Sequence, residues 1–180
     1  MSNRILITGG AGFIGLHLAR HMVSNGYKVD LVDNFARGIK DLDLETLLSQ
    51  ESVSLIPLDL SDQESMMILG SGYHAIYHLA GIVGVKHVLN RPYEVMDTNI
   101  RMLQNVISLA RRQSNLNRLL FASTSEVYAG TLEKYGLKIP TVEAANIVLS
   151  DLSSPRTTYM LSKIVGEVMC QHSDVPFTIF

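Results

Sequence analysis

Short runs of aliphatic and β-branched residues alternate along the chain with longer stretches whose apolar positions recur every three or four residues. The runs predict strands at Arg4–Thr8, Lys28–Val32, Val53–Pro57, Ala75–Leu79, Leu119–Ser123 and Phe177–Phe180. The stretches predict helices at Gly12–Asn25, Leu42–Ser49, Gln63–Leu69, Pro92–Gln113 and Ser154–His172. In Pro92–Gln113, the residues Val95, Ile100, Leu103, Val106, Ile107 and Ala110 form one stripe at a period near 3.6. Its proline stands at the start, where a missing N–H does least harm. The apolar centres of Arg4–Thr8 and Leu119–Ser123 suit strands covered on both faces. Strands alternating with helices in this way predict an α/β fold, a doubly wound parallel (Rossmann) sheet of six strands with helices on both faces. Between Tyr128 and Leu152, with Gly130, Gly136 and Pro140, the pattern predicts irregular chain, and loops of that length commonly form lids or binding loops.

Composition narrows the function classes. The 180 residues correspond to about one domain, at roughly 150 residues each. Hydrophobic residues are 47% of the chain and charged ones 18%, which excludes a disordered polypeptide. Fifteen Lys and Arg against 17 Asp and Glu leave a net charge of -2, so no global basic field draws the chain to nucleic acid or an anionic membrane. Every apolar stretch is interrupted well short of the roughly 20 residues a spanning helix needs. The start, Met1-Ser2-Asn3-Arg4 before Ile5–Gly10, is too short in its apolar part for a signal peptide and reads as a strand. Cys170 is the single cysteine, which excludes an intrachain disulfide and a multi-thiolate zinc site and suits a reducing, cytoplasmic setting. His17 and His21 share a helical face but lack a third ligand, so no metal site is expected.

The most informative residues are Thr8-Gly9-Gly10-Ala11-Gly12-Phe13-Ile14-Gly15, which leave a predicted strand and open a predicted helix. In the G-x-x-G-x-x-G spacing, Gly9 suits the tight turn, Gly12 a close approach of backbone to a pyrophosphate, and Gly15 tight helix–strand packing. The helix start then offers free N–H groups along a favourable dipole. Asp33, about 20 residues further at the end of the second strand, suits a ribose diol and repels a 2′-phosphate, favouring NAD over NADP. Arg37 stands close enough to argue the other way. Asp59, after the third strand, suits either an adenine edge or a turn.

Tyr159 and Lys163 are four apart on a predicted helix and so share a face. A lysine beside a phenol is expected to lower its pKa from about 10, giving a base for a substrate hydroxyl whose carbon loses hydride. Upstream, Ser123-Thr124-Ser125-Glu126-Val127-Tyr128 puts hydroxyls at the carboxyl end of a buried strand, the edge where ligands bind in an open α/β sheet.

Together, TGGAGFIG, Asp33, His78-Leu79-Ala80-Gly81, STSEVY and the Tyr159/Lys163 spacing resemble the extended short-chain dehydrogenase/reductase superfamily, and within it the NAD-dependent nucleotide-sugar epimerases, dehydratases and decarboxylases. The resemblance implies NAD as cofactor and a nucleotide-diphosphate sugar as partner. It implies that Gly9, Gly12 and Gly15 hold the pyrophosphate, Asp33 the adenosine ribose, and Asp59 and Leu60 the adenine, while Ala80 and Gly81 approach the nicotinamide half. Phe13, Ile14, Asn34, Leu79 and Asn99 belong to the same implied cofactor site, Asn99 as the helix asparagine that shapes it. Thr124, Tyr159 and Lys163 are the implied catalytic set, with Tyr159 and Lys163 also touching cofactor. The helices Pro92–Gln113 and Ser154–His172 are similar to those that pair in family homodimers. Residues 1–180 are expected to be the NAD-binding domain alone, ending before a sugar-binding domain.

The chain departs from the family pattern at several places: Gly81 where alanine is usual, Ala129 before Gly130 after the Val-Tyr pair, Met102 for a common glycine, and a longer span from Thr124 to Tyr159. Glu126, two places after Thr124, resembles the dehydratases and UDP-glucuronate decarboxylases, where a carboxylate serves chemistry at C5. Ser125 stands where dTDP-glucose-type dehydratases carry aspartate. The implied reaction is therefore of dehydratase or decarboxylase type through a 4-keto intermediate. A 4-epimerase and, from another class, an inactive NAD-binding regulatory module are the alternatives.

Overall fold

A computed structural model describes residues 3–149 and 151–180. Met1 and Ser2, at the start read above as too short for a signal peptide, and Ser150, in the stretch expected to be irregular, lie outside the described residues. The strands are β1 (Arg4–Thr8), β2 (Lys28–Asp33), β3 (Val53–Pro57), β4 (Tyr73–His78), β5 (Arg118–Phe121) and β6 (Phe177–Ile179). The helices are α1 (Phe13–Ser24), α2 (Leu42–Leu48), α3 (Val85–Asn90), α4 (Pro92–Arg111), α5 (Ala129–Tyr135) and α6 (Arg156–Gln171). All pairings are parallel, in the order β3-β2-β1-β4-β5-β6. The order reverses between β1 and β4, which places the ligand crevice at their carboxyl ends.

Strand alternation builds two cores. Ile5 and Ile7 point to one face, against Leu16 and Ala19 of α1 and Leu44 and Leu47 of α2. Leu6, between them, points to the other face, with Leu103 and Val106 of α4, Leu119 of β5 and Cys170 of α6. Met102 packs into this second core, so its departure from glycine is accommodated by burial. Gly166 lets α6 close onto the sheet, since a Cβ there would lie 2.5 Å from Phe121 Cζ.

The structure adjusts several expected elements. The helix predicted at Gln63–Leu69 is only a 3-10 turn, Ser65–Ile68. The strand predicted at Ala75–Leu79 begins earlier, because Tyr73 pairs with Arg4 in register and its hydroxyl donates to Asp30 at 2.7 Å. The strand predicted at Leu119–Ser123 is Arg118–Phe121, and beyond it the Ala122 and Ser123 N–H groups still donate to the His78 and Phe180 carbonyls, at 3.3 and 2.8 Å. Two helices escape the periodicity. α3 is too short to show a stripe, and α5 lies inside the span expected to be irregular. Gly130, read as a loop glycine, is a buried residue of α5, whereas Gly136 ends that helix at φ +72°.

Candidate active site

The glycine turn after β1 is enforced by sterics. Gly9 sits at φ +69°, the left-handed region, and a Cβ there would meet the Ala80 N at 2.9 Å. A Cβ on Gly15 would lie 2.4 Å from the Gly9 carbonyl oxygen, so this glycine sets how closely α1 starts above the turn. Gly10, which the G-x-x-G-x-x-G reading passes over, is equally constrained: its Cβ would approach Leu31 Cβ to 2.7 Å. At Gly12 a Cβ would meet only the Gly9 oxygen, at 3.2 Å, so this position is less confined than Gly9, Gly10 and Gly15. No side chain caps the α1 N-terminus, and Phe13 and Ile14 are exposed beside it. An uncapped helix start over a glycine cradle fits a dinucleotide pyrophosphate.

Asp33 ends β2 next to this cradle. Its Oδ2 accepts from the Ala11 N–H at 3.0 Å and its Oδ1 from the Phe35 N–H at 2.8 Å. Each oxygen retains a lone pair for a ribose diol. The Phe35 bond holds that residue at φ +57°. Asn34 makes a turn, its Oδ1 accepting from the Ala36 N–H at 3.0 Å. Arg37 donates to the Val83 carbonyl at 3.3 Å, across the crevice. Asp59 Oδ1 accepts from both the N–H and the hydroxyl of Ser61, at 2.9 and 2.7 Å, so its carboxylate closes a turn. Leu60 sends its side chain into the core.

The segment after β4 is held by two buried polar devices. Thr8 and His78 stand opposite each other in the β1–β4 register, with Thr8 Oγ1 2.9 Å from His78 Nδ1. Thr8 Oγ1 also accepts from the Ala80 N–H at 3.2 Å. Burial, aided by the Lys163 charge, lowers the His78 pKa to about 3, so the ring is neutral at pH 7. Asn99 clamps the next residues: its Oδ1 accepts from the Ile82 N–H at 2.7 Å and its Nδ2 donates to the Ile82 carbonyl at 3.1 Å. The same amide reaches Ser162 Oγ on α6 at 3.4 Å, so Asn99 acts through the loop and α6. Leu79 packs partly buried against the first core. At Gly81 a Cβ would be 3.7 Å from Asn99 Oδ1 and 3.9 Å from Lys163 Nζ, ordinary contacts that leave room for alanine. Sequence reasoning missed the Thr8–His78 pair, because only the strand register joins residues seventy apart.

Thr124, Glu126 and Tyr159 line one pocket of about 220 Å³. Thr124 caps the 3-10 turn Ser125–Tyr128, its hydroxyl accepting from the Glu126 N–H at 3.3 Å. Ser123 Oγ donates to Glu167, one turn beyond Lys163, and ties this segment to α6. Lys163 is buried, donates to the Ala122 carbonyl at 2.7 Å, and lies 4.9 Å from the Phe121 ring centroid and 5.9 Å from that of Tyr159. Burial lowers its pKa to about 8. The lowered Tyr159 pKa expected from Lys163 is not what this geometry produces. Burial raises it, a Thr124 hydrogen bond pulls it down, and the Glu126 charge raises it further. The ammonium is turned to a backbone carbonyl, so spacing on the helix alone does not pair the two groups. On α1, His17 packs edge-on against Phe13, and among the described residues no three His, Cys, Asp or Glu side chains group as metal ligands. No helix among them is long and apolar enough to cross a membrane.

Comparison with known proteins agrees with this geometry. The chain is 36% identical over 171 residues to UDP-N-acetyl-alpha-D-glucosaminuronate decarboxylase of Bacillus cytotoxicus, covering 94% of this chain and 50% of that protein. It is 35% identical over 167 residues to UDP-glucuronic acid decarboxylase 1 of Danio rerio, covering 93% of this chain and 37% of that one. The chain thus spans half or less of the length of these curated relatives. Among solved structures it is similar to a UDP-galactose 4-epimerase, with TM-score 0.77, 30% identity, and coverage of 98% of this chain and 54% of that one. The Bordetella bronchiseptica enzyme WbmG in complex with NAD superposes with TM-score 0.79 at 27% identity, over 98% of this chain and 51% of that one. The family model described as the NAD dependent epimerase/dehydratase family matches residues 5–179. With a glycine cradle, a strand-end aspartate and a tyrosine–lysine helix in one crevice, the chain belongs to the NAD-dependent epimerase/dehydratase family.

Proposed function

We propose that this chain is the NAD-binding part of an enzyme that converts a UDP-linked or other nucleotide-diphosphate sugar through a 4-keto intermediate, and that its reaction is of the decarboxylase type. The observation that carries this reading is that Thr124, Glu126 and Tyr159 line one pocket. The decarboxylase names of two relatives more than one-third identical support it. Gly9, Gly12, Gly15 and Asp33 are the residues that would hold NAD, with Asn99 shaping the loop beneath it. When bound, NAD supplies reversible hydride acceptance.

Tyr159, as phenolate, takes the C4 hydroxyl proton, and Thr124 hydrogen-bonds the same oxygen. Lys163 balances the charge on Tyr159 once a ligand draws its ammonium from the Ala122 carbonyl. Oxidation at C4 turns a C6 carboxylate into a β-keto acid. Its C5–C6 bond then breaks, carbon dioxide leaves, and the electron pair passes to the C4 oxygen, where Thr124 and Tyr159 stabilise it. Glu126 relays a proton to C5 as that electron pair returns from the C4 oxygen, and return of the hydride to C4 with the Tyr159 proton to its oxygen completes the product. The test is rapid mixing of the full-length, NAD-loaded protein with UDP-glucuronate, following NADH absorbance and product mass. In Glu126→Gln, NADH and keto sugar should accumulate while final product falls. Unchanged product formation would make Glu126 a bystander and favour the 4-epimerase reading, to which the 30% identity with a UDP-galactose 4-epimerase already lends support.

We also infer a homodimer through α4. Its outward side carries a groove whose apolar floor is Tyr93, Met96 and Ile100, edged by the Arg101–Asp97 ion pair and by Thr158 of α6. Ile100→Arg should convert a dimer to monomer in analytical ultracentrifugation. A reducing cytoplasm suits the single cysteine, Cys170, which is buried and free.

A further inference from the structure

The pocket that holds Thr124, Glu126 and Tyr159 has one more polar wall, Arg156. Arg156 is the first residue of α6, one turn before Tyr159, so the two share a helical face over the pocket. That place is electrostatically wrong for the helix: the positive end of the dipole disfavours a cation, and the first turn of α6 contains no acid to offset it. Arg156 is exposed, and among the described residues its guanidinium has neither an ion pair nor a side-chain hydrogen bond. Glu126 faces the same space without pairing with it. A second charged group therefore stands open beside the reacting tyrosine, opposite in sign to Glu126. The remaining wall is apolar, from Val83, Val85 and Val88.

We propose that Arg156 is the specificity residue that binds the sugar C6 carboxylate, so that the pocket takes a nucleotide-linked hexuronate in preference to the neutral hexose. This rests on the functional reading above and names its substrate class. A planar guanidinium engages a carboxylate through two parallel hydrogen bonds, whereas a neutral C6 hydroxyl offers one. The cation also offsets the repulsion between that carboxylate and Glu126, which would otherwise exclude a uronate from the site.

The nucleotide diphosphate is the other anion that could meet Arg156, and it is common to all nucleotide sugars, which the experiment exploits. The full-length, NAD-loaded protein that carries these residues is mixed with UDP-glucuronate, UDP-glucuronamide and UDP-glucose, and the NADH burst gives kcat/KM for C4 oxidation of each. Wild type should prefer the uronate. In Arg156→Gln the ratio of uronate to neutral-sugar kcat/KM should fall by about 10- to 100-fold, mostly through KM, and Arg156→Lys should recover part of it. An unchanged ratio in Arg156→Gln overturns the assignment. So does an equal loss on all three sugars, which would move Arg156 to the diphosphate. Should none of the sugars reduce NAD in wild type, the 4-keto reading itself falls and this assignment with it.

Discussion

The two halves of the crevice are built by different means. The half around β1 and β2 is made of backbone: Gly9, Gly10 and Gly15 leave no room for a Cβ, and Asp33 is pinned by the N–H groups of Ala11 and Phe35. The half around β5 and α6 is made of side chains from separate segments, Thr124 and Glu126 from a 3-10 turn and Arg156, Tyr159 and Lys163 from a helix. The first is held in one shape by excluded volume. The second depends on charges and hydroxyls, whose hydrogen bonds a ligand's polar groups can replace; here the Lys163 ammonium is held by the Ala122 carbonyl. A fixed cradle suits a resident cofactor, and an exchangeable set suits a substrate that arrives and leaves. Between them, Thr8, His78 and Asn99 hold the loop after β4 with buried hydrogen bonds.

The largest effect should come from the exchangeable half. Tyr159→Phe is expected to slow C4 oxidation by about 10²–10⁴-fold, measured as the NADH burst, with NAD affinity nearly unchanged in calorimetric titration. A matching loss of cofactor affinity would erase the division between the halves.

In the cradle, Asp33→Ala should weaken NAD(H) binding by about 10- to 100-fold, since a hydrogen bond to a charged group contributes roughly 1.5–3 kcal/mol. It should also narrow the preference for NAD(H) over NADP(H), because the repulsion of a 2′-phosphate disappears. Calorimetric titration of both cofactors measures this, and tighter NADP(H) binding by the wild type would show that Arg37 outweighs Asp33.

The junction should show in pH dependence. The His78 pKa falls on folding from 6.5 to about 3, so the unfolded chain binds the proton more readily. The stability this neutral ring contributes is complete above pH 6.5 and is lost as pH falls toward 3. The slope approaches about 1.4 kcal/mol per pH unit. Urea denaturation between pH 7 and pH 4 should show it, and His78→Asn should flatten it.

The smallest effect is expected at Gly81. With a Cβ there no closer than 3.7 Å to any neighbour, Gly81→Ala should change stability by less than about 0.5 kcal/mol in thermal denaturation. A large loss would mean that the loop after β4 is tighter than its contacts indicate.

Much of the half around β1 and β2 was legible in the sequence because its physics is local. Gly9, Gly12 and Gly15 lie within one turn, the strand runs carry their own period, and Asp33 follows at a spacing that one crossover dictates. The six strands and the two long helices α4 and α6 are legible for the same reason, since repeated apolar positions reveal them. α3 and α5 are not: the six residues of α3 are too few to display a stripe, and Gly130 and Gly136 give α5 the look of a loop. What only the tertiary structure decided depends on residues far apart in the chain. Thr8 meets His78 through strand register, Gly10 owes its small size to Leu31 on the neighbouring strand, and Arg156 stands across a pocket from Glu126. The tyrosine–lysine spacing places both residues on one helix face, but burial and the Ala122 carbonyl, both products of packing, determine where the lysine's charge points and how strongly the tyrosine holds its proton.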